Sequence, residues 1–178
     1  MDEQVASSDD SHSICVYEKG SASSRHAIIL LHGRTWSSLP VFDLAFQSTA
    51  QSGEGEVNLS TMDMLASEDL RVFAIDFRGF GGTLRDSSGW LTPQRAVSDV
   101  RSVVDWLRDS LGVTRPGVLG WSQGGLVAQL YAQLHPASIS SLVLYATIYD
   151  PSVIYPRLPF LSKSAVPLYR YFFMYKYI

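Results

Sequence analysis

A chain of 178 residues, 46% of them hydrophobic and 17% charged, has the material for one packed domain. Its net charge of −3 supplies neither a basic face for nucleic acid nor an acidic field for a cationic polymer, so any function has to reside in a site. The single cysteine, Cys15, excludes an internal disulfide and a cysteine-based metal cage, and it reads as a packing residue.

In chain order, residues 1–13 (MDEQVASSDDSHS) are polar and acidic with no apolar run. They do not form a secretory signal, and a disordered lead is expected there, followed by a core over 14–150. The run AIILL at 27–31 is apolar without interruption, as a strand buried on both faces of a parallel sheet must be. The runs at 71–76 (RVFAID), 117–120 (GVLG) and 141–146 (SLVLYA) repeat the pattern. Between them, Ser60 with Asp63 makes a capping-box-like helix start, and Thr92-Pro93 opens a second helix with apolar residues at helical spacing from Ala96 to Leu111. Val127, Leu130, Tyr131 and Leu134 define one face of a third, which His135-Pro136 ends. Strands alternating with helices predict an α/β fold: a doubly wound, mostly parallel sheet with helices on both faces. Residues 47–58 are polar and glycine-bearing, and a mobile surface loop is expected. No run is long enough to span a bilayer, so a cytoplasmic location is the default expectation.

The chemistry-bearing stretch is GWSQGG at 120–125. It places Ser122 in a GxSxG pattern immediately after a predicted strand and before a predicted helix. Gly120 and Gly124 let strand and helix meet closely enough to force the serine into a strained turn that lifts its hydroxyl out of the sheet. The competing reading is a serine that merely caps the helix. No phosphate loop, zinc spacing or dinucleotide fingerprint is present, so neither metal nor cofactor is expected.

Three marks in order, LLHGRTW at 30–36, DFRGFGGT at 76–83 and GWSQGG at 120–125, followed by LHP and SLVLYA, make the chain resemble the N-terminal portion of an α/β-hydrolase-fold protein. That resemblance implies a serine esterase or lipase type of chemistry on a small acyl substrate. Ser122 would be the nucleophile that forms a covalent acyl-enzyme, and the backbone N–H groups of Gln123 and Arg34 would hold the oxyanion. His32 would order its loop, Gly33 would support the site, and Trp36 and Trp121 would flank the pocket or simply pack. A serine at the elbow, where members that attack saturated carbon carry a carboxylate, implies acyl transfer. Asp76, Arg78 and Gly79 read as a structural turn.

The pattern then fails. Such a serine needs a histidine from later in the chain, oriented by an acid. The only later histidine, His135, lies about 20 Å away along the same helix at ~1.5 Å per residue. Asp150 is a candidate acid, although Asp150-Pro151 also reads as a turn. The family's C-terminal strands are missing, so the strand at 141–146 would leave an apolar edge open to self-association unless something covers it. The expectation is a truncated hydrolase core, inactive or active at trace level. Residues 151–178 would be the start of a lid or an aberrant tail, and a membrane-binding role for PLYRYFFMYKYI is disfavoured because its apolar and basic residues do not segregate. The alternative is a non-catalytic protein that binds a small ligand on a degenerate hydrolase scaffold.

Overall fold

The apolar runs at 27–31, 71–76 and 117–120 become inner strands of the sheet, whereas the run at 141–146 becomes a largely exposed edge strand. The computed structural model describes residues 2–44 and 60–147. Its strands are β1 (Asp2–Ala6), β2 (Ser13–Lys19), β3 (His26–Leu31), β4 (Leu70–Ile75), β5 (Gly117–Trp121) and β6 (Ser141–Tyr145). They form one sheet in the order β1-β2-β4-β3-β5-β6. β3 pairs in parallel with β4 and β5, and β5 with β6, while β2 joins β4, and β1 joins β2, antiparallel. Among the described residues, four α-helices accompany them: α1 (Ser38–Phe42), α2 (Thr61–Ser67), α3 (Pro93–Leu111) and α4 (Gln123–Leu134).

Strand periodicity of two decides which layer each residue joins. Ile29 and Leu31 of β3, Phe73 and Ile75 of β4, and Val118 of β5 pack with Val100, Val103, Val104 and Leu107 of α3 and with Val127, Ala128 and Tyr131 of α4. Leu30, Val72 and Ala74 point the other way, onto Phe42 of α1 and Met62 of α2. Both expected helix starts carry their caps: Ser60 accepts from the Asp63 N–H, and Thr92 accepts from the Arg95 N–H ahead of Pro93. Cys15 is buried and packs against Gly82, where a Cβ would come within 2.7 Å of its sulfur.

Two expectations need correction. Residues 2–13 are not a disordered lead. β1 pairs with β2, and the turn between them is held from a distance: Arg78 forms ion pairs with Asp9 and Asp10, Ser7 donates to Asp99, and the Ser8 N–H donates to Ser102. The segment's order comes from partners 68 to 94 residues away, which local composition does not register. Leu134, the last residue of α4, is 56% exposed and is not part of its buried face. The loop at 47–58, Asp150 and the segment 151–178 lie outside the described residues. β6 is the described edge strand beside β5, with Val143 44% and Tyr145 64% exposed. Among the described residues, no helix is long and apolar enough to cross a membrane.

Candidate active site

The parallel strands wind outward from β3: β4 lies on one side of it, β5 and then β6 on the other. Connections therefore diverge between the carboxyl ends of β3 and β5, and a crevice opens where winding reverses. The two segments that leave those ends are the loop starting at His32 and the turn at Ser122.

Ser122 sits at φ +55° and ψ −115°, a conformation that costs a non-glycine residue about 1–3 kcal/mol and persists only where its surroundings impose it. Those surroundings are close backbone contacts. A Cβ on Gly120 would lie 2.5 Å from the Gly125 Cα, and one on Gly124 would lie 2.2 Å from the Leu31 carbonyl oxygen. The Ser122 side chain makes no capping hydrogen bond to α4, so the reading of this residue as a plain helix cap fails. Its backbone is instead held from β6 and beyond: the Ser122 N–H donates to the Tyr145 carbonyl at 2.9 Å, and the Thr147 hydroxyl donates to the Ser122 carbonyl at 2.7 Å. Nothing in the sequence signals Thr147, because the contact depends on where β6 ends.

The loop after β3 closes directly on this turn. A Cβ on Gly33 would meet the Ser122 Cβ at 3.0 Å and the Trp121 ring at 2.9 Å, so only glycine fits between them. His32 is fully buried. Its Nε2 accepts from the Phe77 N–H at 3.0 Å, which requires the proton to sit on Nδ1, the nitrogen that donates to the Gly33 carbonyl at 2.7 Å. Burial holds its pKa below the ordinary histidine value, so the ring is a neutral strut joining the β3 and β4 exits. Asp76 anchors the far end of the loop. One carboxylate oxygen accepts from the Ser38 N–H at 2.7 Å, and the other accepts from the Tyr17 hydroxyl and the Gly82 N–H. The turn after β4 is structural, as expected, and its reach to Ser38 and Tyr17 also shapes the site. Arg34 and Trp121 are half-buried beside this loop, while Trp36 is 53% exposed.

Each of the four histidines is either hydrogen-bonded elsewhere or far from Ser122. His32 uses both ring nitrogens, as above. His135 caps the far end of α4, about 20 Å from Ser122 at ~1.5 Å per residue, and its Nδ1 accepts from Arg101. His26 opens β3 at the opposite end of the sheet, roughly 20 Å away at ~3.3 Å per residue. His12 donates to the Leu84 carbonyl beside β2, about 14 Å from β5 across three strand spacings. Among the described residues, no cluster of three or more His, Cys, Asp or Glu side chains is placed to hold a metal ion.

The family model described as alpha/beta hydrolase fold matches residues 27–166. Among solved structures, an esterase from Rhodococcus sp. is 29% identical, with a TM-score of 0.61 over 83% of this chain and 46% of that one. An esterase from Exiguobacterium antarcticum is 24% identical, with a TM-score of 0.62 over 83% and 46%. An epoxide hydrolase from Vigna radiata is 20% identical, with a TM-score of 0.64 over 97% and 46%. The chain thus spans about half the length of these structures. No curated protein sequence matches it.

Proposed function

Because this chain belongs to the alpha/beta hydrolase fold family, we propose that its hydrolase site is a serine acyl-transfer site built on Ser122. The Ser122 oxygen attacks the carbonyl carbon of a carboxylic ester or related acyl compound. The carbonyl oxygen takes up the negative charge and is held by the backbone N–H groups of Gln123 and Arg34. Collapse of the tetrahedral adduct breaks the bond to the alkoxide, which leaves as the alcohol with a proton from solvent that replaces the one the Ser122 hydroxyl gives up to solvent. Water then cleaves the acyl-enzyme to the carboxylic acid and restores the serine. Asp150 is proposed as an acid of this site.

The observation that carries the reading is the strained backbone of Ser122 with the Gly33 loop packed against its Cβ. It is a turn maintained at a cost, next to the loop that would supply the second amide. The esterase from Rhodococcus sp. among the structural neighbours supports an ester as the substrate class.

None of the four histidines can serve as the base from where it stands, so the 178-residue chain by itself is proposed to be inactive or active at trace level. An oxyanion site without its base still supports roughly 10³–10⁴-fold catalysis over water. A fluorophosphonate probe should therefore label Ser122 slowly, and Ser122→Ala should abolish labelling. The rate should rise with pH without an inflection between pH 5 and 8, the range in which a histidine base would titrate. An inflection near pH 6–7 that disappears on substituting one histidine would overturn the absence of a base. Folded protein that stays unlabelled at every pH would instead favour the second reading, a small-ligand-binding protein on the same scaffold, for which the placement of the histidines speaks.

A further inference from the structure

The peptide unit between Ser122 and Gln123 is fixed through its carbonyl, which accepts two hydrogen bonds. The Ser122 carbonyl accepts from the Thr147 hydroxyl at 2.7 Å and from the Gly125 N–H at 3.1 Å. A trans peptide is planar, with its C=O and N–H antiparallel, so fixing the carbonyl on one side fixes the N–H on the other. β5 lies between β3 and β6. A carbonyl drawn toward Thr147, just past β6, turns the Gln123 N–H away from β6 and toward the β3 exit, where the His32 and Gly33 loop begins.

Three further features place that hydroxyl. Ala146 adopts φ +49°, a left-handed bend that an alanine rarely takes, and it turns the chain abruptly after β6. Residue 125 is glycine, and a Cβ there would lie 2.5 Å from the Thr147 Cβ. The Tyr145 carbonyl binds the Ser122 N–H at 2.9 Å, so the exit of β6 holds Ser122 at both its backbone groups.

We propose that Thr147 is a positioning residue: its hydroxyl sets the plane of the Ser122–Gln123 peptide and so aims the Gln123 N–H into the oxyanion position. This rests on the reading of Ser122 as nucleophile and assigns to β6 a part in the site that the three sequence marks do not cover. It also separates hydroxyl chemistry from packing. Thr147→Val keeps the shape and removes the donor, whereas Thr147→Ser keeps the donor.

The chain contains a single Ser-Gln dipeptide, at 122–123, so serine labelled with ¹³C at the carbonyl combined with ¹⁵N-glutamine isolates this one peptide unit in an NMR spectrum of the full chain. The Ser122 carbonyl resonance is expected to move upfield in T147V, with a change in the Gln123 amide resonance, and to remain near its original position in T147S. Thr147→Ala makes the same deletion with less bulk and carries the comparison if T147V does not fold. In parallel, fluorophosphonate labelling of Ser122 should slow about tenfold or more in T147V, as expected for a misdirected oxyanion donor, and be largely preserved in T147S. Resonances and labelling unchanged in T147V would overturn the proposal. Absence of labelling in every form would defeat the nucleophile reading alone and leave the carbonyl resonance to decide whether Thr147 sets the peptide plane.

Discussion

Ser122 is held in its strained conformation by neighbours that lack side chains, and the tightest of these approaches is at Gly124. A methyl group there would sit 2.2 Å from the Leu31 carbonyl and 2.6 Å from that of His32, both backbone atoms that cannot swing aside. Gly124→Ala should therefore destabilise the fold by about 1–3 kcal/mol through overpacking, read as a lower urea midpoint with an unchanged slope. The same variant should lose Ser122 labelling more completely than its stability loss alone would produce, because α4 must back away from β3 for the methyl to fit. The GxSxG spacing makes the importance of this glycine legible in the sequence. Gly33 was expected to support the site, but that a Cβ there would lie 3.0 Å from the Ser122 Cβ, about 90 residues on, was not legible, nor was Thr147, whose role depends on the point at which β6 ends.

Among the elements, β1 departs furthest from its sequence pattern. Its residues are mostly polar and only Val5 is buried, so apolar periodicity gives no signal there. What fixes it is the Arg78 guanidinium, itself buried, which reaches Asp99, Asp86, Asp10 and Asp9 at once. Arg78→Met would leave Asp99, 1% exposed, as an uncompensated buried charge and would release the β1–β2 turn. The expected loss is about 3–5 kcal/mol. Hydrogen exchange should show the amides of β1 losing protection before those of β3 and β5, and Asp99→Asn in the same chain should recover part of the stability. Equal loss of protection in β1 and β5 would argue against a locally held strand. The inner strands β3, β4 and β5 were legible, by contrast, because burial on both faces demands unbroken apolar runs.

For the molecule as a whole, the same network sets a response to acid. Hydrogen bonding from Arg78 holds the Asp10 carboxyl well below its usual range, and hydrogen bonds from Ser88 and then from Arg78 hold Asp86 near about 2. Carboxyls with lowered folded pKa values contribute stability that is present above their unfolded value of 3.8 and is lost as pH falls through the folded values. His32 acts in a higher window. Burial lowers its pKa, so below about pH 6.5 the unfolded chain binds a proton that the folded chain refuses, and stability falls. Urea midpoints should thus be level from pH 8 to 7, decline below about 6.5, and decline again below about 4, with the last decline shallower in Asp86→Asn. By itself the sequence determined the fold class, the four parallel strands with their helices, the family and the elbow serine, because apolar period, caps and turn glycines are local properties written residue by residue. Only the tertiary structure decided that the N-terminal segment is a strand, that both ring nitrogens of His32 are hydrogen-bonded, and that Thr147 grips the Ser122 carbonyl. Those facts depend on which distant residues a parallel, doubly wound sheet brings within hydrogen-bonding distance, and no local pattern encodes such distances.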